Sequence, residues 1–404
     1  MEVEKRAVRM KKVLIIGAGF LQDFVIRKAK SMGYEVIAVD ANPASVGFRH
    51  ADKYKVISIV DEQACLAYAK EEKIDGVLTA ATDYGVLTAA YIAKELGLPG
   101  LNYEAAKLIK NKYQVRKCLF EAKVDDTEQA YAVNENTDLA ALAEKLSFPV
   151  MVKPCDGSGS RGVARVDEAL QFADACKNAM AASITHCAEV ETFITGREYG
   201  AESLVVNGEA HVLGIMRKWM TAPPYYAELG HAMPSGLDDE VEKKVIGCVE
   251  KAIEALGINF GSVNMDLLVT EDNKVHIVDI GARMGGNLIG SHIIPYGTGI
   301  PYIENMIKAH TGESIDFKPA KVPQPVATRI LALKPGMVEQ LPAMQSMDDI
   351  MIEHHLKIGD MIHEYRTNLD GCGYVVCIAD TMNNAEMKAE REKERIDIGI
   401  KRKK

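Results

Sequence analysis

A lysine at the end of a predicted strand is followed by a loop of small residues. Lys153 closes the apolar run 149–153, and the chain continues Pro-Cys-Asp-Gly-Ser-Gly-Ser-Arg-Gly to position 162. Small residues let the backbone approach a ligand closely, and successive backbone N–H groups can surround phosphate oxygens. The Gly-Lys-Ser/Thr ending of a Walker A loop is absent from this sequence. We expect a phosphate-binding loop here; a flexible hairpin tip with an incidental lysine is the alternative.

Two glutamates follow around the end of a later strand. Glu191 and Glu198 are seven positions apart, with Phe193 and Ile194 between them. A carboxylate and backbone at such a strand end can contact an adenine amino group, and a second carboxylate can accept hydrogen bonds from ribose hydroxyls. The pair therefore favours a nucleotide over a simple phosphate.

Two aspartates lie thirteen positions apart on a predicted strand pair. Asp266 ends the run that starts at Gly261, and Asp279 closes the next strand, after a turn at 271–273. Carboxylates on paired antiparallel strands can converge on one cation. Mg²⁺ is usually held by one or two carboxylates together with phosphates and water.

In this order, the motifs resemble the ATP-grasp superfamily, whose relatives include biotin carboxylase, D-alanine–D-alanine ligase and the large subunit of carbamoyl-phosphate synthetase. The resemblance covers nearly the whole chain and implies ATP and Mg²⁺ as cofactors, with Mn²⁺ as an alternative metal. It implies Asp266 and Asp279 as metal ligands. The nucleotide-binding residues that it implies are Lys112, Lys153, Gly157, Ser158, Gly159, Ser160, Gly162, Glu191, Phe193, Ile194 and Glu198.

The chain departs from this family at Gly281. The second metal strand of the family usually reads Glu-x-Asn-x-Arg, whereas this chain reads Asp279-Ile-Gly-Ala-Arg283. The resemblance implies that Arg283 stabilises charge developing on a transferred phosphoryl group; a structural salt bridge is the alternative. Loss of the asparagine weakens one metal position and leaves open a nucleotide-binding protein without turnover.

A polar segment between the two site regions points to a subgroup. Glu228 and His231 form a Glu-x-x-His-x-x-Pro pattern that resembles bacterial L-amino acid ligases and related carboxylate–amine ligases. The likeness implies that the carboxylate binds an ammonium group and that the histidine binds a carboxylate or phosphate. Arg217 and Lys218 precede the segment and are expected to neutralise the γ-phosphate. Two polar residues on a solvated loop are the alternative for Glu228 and His231.

The implied reaction is amide-bond formation through an acylphosphate, with release of ADP and phosphate. The expected partners are two small molecules, a carboxylate such as an amino acid and an amine. A purine-pathway ligase remains open because its domain order is the same, and a carboxylase is a more distant alternative. A homodimer is also considered.

The elements that must position these residues fall into α/β and α+β parts. Short apolar runs at 13–16, 35–39 and 76–78 alternate with helical patterns, which indicates a parallel, doubly wound sheet. We expect one helix over 103–122, a polar loop over 217–237, irregular chain over 281–299 and an exposed helix over 386–396. The expected domains are a Rossmann-like pre-ATP-grasp domain (1–110), a small ATP-grasp lobe with the phosphate loop (111–196), a large lobe with the metal and substrate site (197–318) and a small β-rich C-terminal domain (319–404).

A glycine pair near the start suggests a competing cofactor. Gly17-Ala-Gly19 follows the first strand, and Asp40 lies about twenty residues on, as in dinucleotide-binding motifs. The third glycine position holds Gln22, so a strand-to-helix turn without a nicotinamide or flavin cofactor is favoured over a dehydrogenase.

Composition narrows the functional class. The 404 residues include 48 Lys and Arg and 57 Asp and Glu, a net charge of −9, which argues against nucleic-acid binding because phosphate backbones attract basic surface. No apolar run approaches the ~20 residues of a membrane helix. The eight cysteines form no Cys-x-x-Cys pair, so we expect unpaired thiols and a cytoplasmic location.

Overall fold

The computed structural model describes residues 9–125, 130–157, 161–223 and 225–403. Its first sheet is parallel with the strand order β3-β2-β1-β4, which confirms the Rossmann-like domain. Alternate residues of β1 face two different hydrophobic clusters, so helices cover both faces of the sheet. The elements are β1 (Lys12–Ile16), α1 (Phe20–Ser31), β2 (Glu35–Asp40), β3 (Lys53–Val56), α2 (Glu62–Glu72), β4 (Gly76–Thr79) and α3 (Val86–Leu96).

The single helix predicted over 103–122 is wrong, because the chain forms two helices there. Asn111 interrupts the run and accepts a hydrogen bond from the backbone N–H of Gln114, which caps the second helix. The two helices are α4 (Tyr103–Ile109) and α5 (Lys112–Glu121). As a result Lys112 stands at the first position of a helix rather than within one.

A four-stranded antiparallel sheet carries the lysine of the predicted phosphate loop. Its strand order is β5-β8-β6-β7, and α7 packs on it through Phe172 and Cys176. The elements are β5 (Tyr131–Val133), α6 (Leu139–Ala143), β6 (Val150–Pro154), β7 (Ala164–Val166), α7 (Ala169–Ala182) and β8 (Ala188–Thr192).

An eight-stranded sheet forms the centre of the molecule, in the order β13-β12-β9-β10-β11-β14-β18-β16. The loop predicted over 217–237 is wrong at 217–220 and 228–233, since these residues pair as strands with a bulge beside Trp219. The strands are β9 (Arg197–Val206), β10 (Glu209–Met220), β11 (Glu228–Met233), β12 (Gly261–Val269), β13 (Val275–Gly281), β14 (Val326–Ile330), β16 (Ile350–His354) and β18 (Gly373–Ile378), and α8 (Asp239–Ala255) packs on them.

Two further expectations change in the remaining segments. Residues 281–299 include a π-helix over 289–293 and α9 (Ile294–Thr298), so the segment is not irregular throughout. The helix predicted over 386–396 is α11 (Met382–Gly399), which buries Ala385, Ala389 and Ile396 and is not fully exposed. The other elements are α10 (Tyr302–His310), β15 (Gly336–Gln340), β17 (Met361–Ile362) and β19 (Lys401–Lys403).

Two expectations from the sequence concern the pairing of the cysteines and the presence of a membrane-spanning helix. All eight cysteines are free, as expected. Among the described residues, no helix is long and apolar enough to cross a membrane.

Gly230 allows β11 and β14 to approach closely, which yields a stability prediction. A Cβ at position 230 would lie 2.1 Å from the carbonyl oxygen of Thr328, so Gly230→Ala must displace a neighbouring backbone. We expect a loss of about 3 kcal/mol in the free energy of unfolding, measured by urea titration followed by circular dichroism. In the control, Gly247→Ala, the added Cβ meets nothing within 4 Å on α8, and a gain of about 0.5–1 kcal/mol is expected. Equal stabilities of the two variants would contradict this packing.

Candidate active site

One cleft of about 720 Å³ lies between the small antiparallel sheet, the central sheet and the edge of the first sheet. It brings together most of the side chains that the sequence singled out. The predicted residues that line it are Lys112, Lys153, Gly157, Glu191, Phe193, Ile194, Glu198, Lys218, Glu228, Asp266, Asp279 and Arg283. Ser158, Gly159 and Ser160 lie outside the described residues.

Strand register accounts for the carboxylates on the cleft floor. Asp266 of β12 is the direct partner of Asp279 on β13, and Asn264, two residues earlier, is the partner of Gly281. Directly paired residues, and residues two apart on one strand, project from the same face of a sheet. The sequence pattern of β12 and β13 therefore places both aspartates side by side.

Lys218 of β10 lies between two carboxylates, one from the adjacent strand β11 and one from β12, two strands away. Its Nζ is 2.8 Å from Glu228 Oε1 and 2.8 Å from Asp266 Oδ1, and its side chain is 2% exposed. Burial alone would lower the pKa of this lysine, but the two carboxylates raise it above its usual value. Arg217, the preceding residue, points to the other face of β10 and lies against the Trp219 ring at 5.1 Å. The structure therefore brings Lys218 into the cleft and leaves Arg217 outside it.

The two aspartates differ in their protonation equilibria. Lys112, at the start of α5, donates to Asp279 Oδ1; burial would raise the pKa of Asp279, but this lysine keeps it below the usual value. Burial raises the pKa of Asp266 despite the nearby Lys218, because Glu228 and Asp279 add repulsion. The carboxyl group of Asp279 therefore has a lower pKa than that of Asp266 and loses its proton more readily.

A second group of buried charges lies on the small sheet. Lys153 donates to Glu191, and Arg116 Nε lies 3.1 Å from Glu191 Oε2. Burial would raise the pKa of Glu191, yet Lys153 and Arg116 hold it below the usual range. Glu189 projects from the same face of β8 as Glu191, and burial together with repulsion from Glu191 raises its pKa to about 7. Lys153 is thus fixed by an ion pair at the cleft wall.

The segment expected to contact adenine crosses from the small sheet to β9. Phe193 and Ile194 lie directly after β8, and the Arg165 guanidinium lies 4.3 Å from the Phe193 ring centre. Glu198 follows on β9, and burial raises its pKa. Gly157 lines the cleft, whereas Gly162, with a φ of +69°, packs against Ala182 on α7. These positions fit a flat, apolar group bordered by one carboxylate.

Glu228 and His231 have different surroundings although both lie on β11. Glu228 faces the cleft and accepts hydrogen bonds from Asn287 and Lys218. Burial would raise its pKa, but Lys218 dominates and the pKa falls to about 2. His231 is 1% exposed, and burial lowers its pKa to about 4, so the imidazole is neutral at pH 7. His231 does not line the cleft, so its position does not support binding of a carboxylate or phosphate. That role stays a prediction.

The loop after β13 carries Arg283 to a carboxylate of the first domain. Arg283 Nε lies 2.9 Å from Asp83 Oδ1, and its Nη1 lies 3.3 Å from Asn264 Oδ1. Burial would lower the pKa of this guanidinium, but Asp83 keeps it above the usual value. Glu202 accepts from the backbone N–H of Gly285 and from Tyr302, which anchors the same loop.

The polar side chains around the glycine loop after β1 are hydrogen-bonded to the backbone of the first domain. Asp40 Oδ2 accepts from the backbone N–H of Ala18 at 2.8 Å, and Gln22 Nε2 donates to the carbonyl oxygen of Ala80 at 2.6 Å. A dinucleotide site would need Asp40 for a ribose hydroxyl. The structure instead uses Asp40 to close the turn, which favours the interpretation without a nicotinamide cofactor.

The two aspartates of the cleft floor suit a cation that also takes phosphate oxygens as ligands. Among the described residues, no group of three or more His, Cys, Asp or Glu side chains is arranged to hold a metal ion. Asp266 and Asp279 lie directly opposite each other. Two carboxylates without a third suit Mg²⁺, which keeps waters and takes substrate phosphates as ligands.

Sequence reasoning missed several cleft residues. Asp83 and Tyr84 come from the loop after β4, Arg116 from α5, and Asn287 and Tyr374 from segments with no motif. The signal for Asp83 was available, because ligands of parallel sheets bind beyond the carboxyl ends of the strands. Asn287 and Tyr374 are brought together by long-range folding, and Tyr374 donates to Asn287 Oδ1 at 2.9 Å.

Comparison with known proteins agrees with this geometry. Residues 146–291 match the family described as the ATP-grasp domain. A formate-dependent phosphoribosylglycinamide formyltransferase from Ignicoccus hospitalis is 25% identical over 341 residues, which cover 79% of this chain and 80% of that protein. An L-amino acid ligase from Bacillus licheniformis superposes with a TM-score of 0.84 at 22% identity, covering 98% of this chain and 99% of that one.

A further structure of the same fold contains nucleotide and metal. It is the biotin carboxylase domain dimer of 2-oxoglutarate carboxylase from Hydrogenobacter thermophilus, in complex with MgADP, ADP and bicarbonate. Its TM-score is 0.79 at 17% identity, and the match covers 97% of this chain and 90% of that one.

The matched domain and the fold together define the class: residues 146–291 form an ATP-grasp domain, and the chain has the fold of its structural neighbours, in agreement with the resemblance seen in the sequence motifs. Its relatives and structural neighbours include a formyltransferase, an L-amino acid ligase and a biotin carboxylase domain, and these similarities support an enzyme that contains an ATP-grasp domain.

Replacing Lys218 tests the charge balance of the cleft floor. Lys218→Met leaves the partly buried Glu228 and Asp266 without their shared cation, and we expect a loss of about 3 kcal/mol in the free energy of unfolding at pH 7, the lower end of the range for a broken buried pair. In the wild type, the pKa of Glu228 is about 2 against an ordinary 4.5, so its stabilising contribution exists above pH 4.5. In the variant, burial raises this pKa, so the variant loses stability as the pH rises from about 4.5 to 7.

The measurement is urea unfolding of both proteins at pH 7 and pH 5, where the deficit of Lys218→Met should be smaller at pH 5. The control is Lys244→Met, which removes an exposed ion pair with Glu240 (3.2 Å); its effect should stay within about 0.5 kcal/mol at both pH values. A deficit that is the same at pH 5 and pH 7 would contradict the assigned pairing.

Proposed function

We propose that this chain is an ATP- and Mg²⁺-dependent carboxylate–amine ligase that acts on an amino acid or a similar small acid. The observation that carries the proposal is the composition of one cleft. Two buried lysines (153 and 218), the partly buried Lys112 and a pair of opposed aspartates share it with Glu228. ATP-grasp enzymes generally use such a cleft to activate a carboxylate with ATP.

The reaction has two steps. A carboxylate oxygen of the first substrate attacks the γ-phosphorus of ATP, and ADP leaves. The amine nitrogen of the second substrate then attacks the acyl carbon, phosphate leaves, and the nitrogen loses a proton. The protein contributes positioning and charge neutralisation rather than a covalent intermediate of its own.

The phosphate end of the cleft is assigned to Lys112, Lys153 and Arg283. Lys153 and Lys112 are each held by one carboxylate, so their ammonium groups are fixed before nucleotide binds. Bound Mg²⁺ would be held by Asp266 and Asp279 and would neutralise charge on the phosphates. Preorganised cations of this kind need no rearrangement during the transfer.

The substrate end is assigned to Glu228. Because its pKa is about 2, this side chain remains an anion and is suited to bind an ammonium group rather than to remove its proton. The cleft here is lined by Leu21, Ile289 and Tyr374, which favours an amino acid with an apolar side chain. A phosphoribosylated amine is a second candidate substrate, because the Ignicoccus relative is named for phosphoribosylglycinamide.

Isotope transfer provides the test of the reaction. The protein is incubated with ATP, Mg²⁺ and pairs of ¹⁸O-carboxylate-labelled amino acids and amines, and ADP and phosphate are measured. We expect release that depends on the carboxylate, is abolished by EDTA and transfers ¹⁸O into phosphate, since the acylphosphate passes one carboxylate oxygen to phosphorus. Absence of substrate-dependent release with amino acids, phosphoribosylglycinamide and bicarbonate would refute the ligase proposal.

Lys153 provides a second prediction, on nucleotide binding. Lys153→Ala removes a buried ammonium group from the cleft wall, and the dissociation constant for ATP should rise at least about tenfold because one charge-assisted phosphate contact is lost. The control is Lys145→Ala, an exposed lysine of the same lobe. Binding is measured by calorimetry, and thermal unfolding verifies that both variants fold. Unchanged ATP affinity in Lys153→Ala would show that the phosphate site lies elsewhere.

A further inference from the structure

The first domain reaches the cleft through a backbone bridge. Ala80, directly after β4, pairs with Met284, and the N–H of Ala81 donates to the carbonyl oxygen of Met284 at 3.0 Å. Asp83 follows three residues after Ala80, and Arg283 directly precedes Met284. The bridge therefore fixes the separation of these two side chains.

The contact between Asp83 and Arg283 combines one hydrogen bond with a close ion-pair contact. Arg283 Nε lies 2.9 Å from Asp83 Oδ1, and Nη2 lies 3.2 Å from Oδ2. A planar guanidinium that donates a hydrogen bond to one carboxylate oxygen and lies against the other as an ion pair is restricted in orientation as well as position. Its remaining nitrogen, Nη1, faces Asn264 Oδ1 at 3.3 Å. Arg283 is thus held from two sides, by the first domain and by β12.

Gly281 leaves the space that this ion pair occupies. A Cβ at position 281 would lie 2.8 Å from Arg283 Cζ and 2.8 Å from Asp83 Oδ1. The backbone of Gly281 does not adopt a left-handed conformation, so its glycine is required for space and not for backbone geometry. Any side chain at this position would have to displace the ion pair.

We infer that Asp83 is a positioning residue for Arg283 and that Gly281 admits it into the cleft wall. The inference rests on the proposed function, in which Arg283 stabilises charge on the transferred phosphoryl group. In this view, position 281 is a glycine because the ion pair between Asp83 and Arg283 needs the space. The missing asparagine is then not simply the loss of a metal ligand. The ion pair also makes the first domain a part of the active site.

Removal of the Asp83 charge tests the positioning role. In Asp83→Asn the side chain keeps its size but loses its charge and one acceptor oxygen. We expect kcat to fall about 10- to 100-fold, because a misoriented group loses transition-state stabilisation. The KM for ATP should change less than about threefold, because Lys112 and Lys153 are untouched. The control is Asp272→Asn, an aspartate of an exposed turn that pairs with Lys274 at 3.1 Å, which should leave both constants unchanged.

A double-mutant cycle tests the role of Gly281. Gly281→Ala alone should lower kcat about as much as Asp83→Ala, because its Cβ displaces the ion pair. In the Asp83→Ala background the space is free, so Gly281→Ala should add less than about a twofold further loss. Gly247→Ala, with open space around its Cβ, is the control. Additive effects, a normal kcat in Asp83→Asn, or parallel losses in kcat and ATP affinity would each overturn the inference.

Thermal unfolding of the four proteins in the cycle separates this inference from the proposed function. If the wild type releases no ADP with any substrate, the ligase proposal fails on its own. The melting temperatures then still report the ion pair: non-additive shifts support the geometry assigned to Asp83 and Gly281, and additive shifts overturn it.

Discussion

Carboxylates in and around this cleft have lowered pKa values only where a lysine or arginine lies against them. Glu228 and Glu191 have cations in direct contact, and their pKa values are lowered despite burial. Glu189 and Glu202 have no ion pair among the described contacts, and the pKa of each rises to about 7. Desolvation disfavours charge unless it is compensated. The architecture therefore has to bring a lysine or arginine into contact with each acid whose pKa stays low.

Three features of the fold place these charged groups close together. Register in the central sheet sets Asp266 opposite Asp279, and alternation along β10 turns Lys218 inward. The interruption of the helix at Asn111 places Lys112 at a helix start, where it reaches Asp279. The side chains in the cleft come from segments more than 200 residues apart, so no single segment could form the site alone.

Motifs on regular strands were predictable from the sequence, and contacts between segments were not. Lys153, Asp266 and Asp279 could be located because strand ends and spacing place them on the cleft side. The opposite orientation of Arg217 follows from strand alternation, which the predicted loop over 217–237 obscured. The loop position of Asp83 was predictable, but its pairing with Arg283 was not, and Asn287 carries no local pattern, because both contacts join distant segments. Burial of His231 likewise depends on its neighbouring strands.

The continuity of the central sheet has a consequence for how this chain can be divided. β11 is flanked by β14, and the N–H of His231 donates to Thr328 Oγ1 at 3.1 Å, so residues beyond 318 supply its second neighbour. A fragment ending there would expose a row of unpaired backbone groups along β11, the strand of Glu228. Such an open edge invites pairing with other chains. A chimera that joins this chain to another protein of the same fold at residue 318 would separate β11 from β14, which are hydrogen-bonded to each other. An exchange that keeps the fold therefore has to include the whole central sheet.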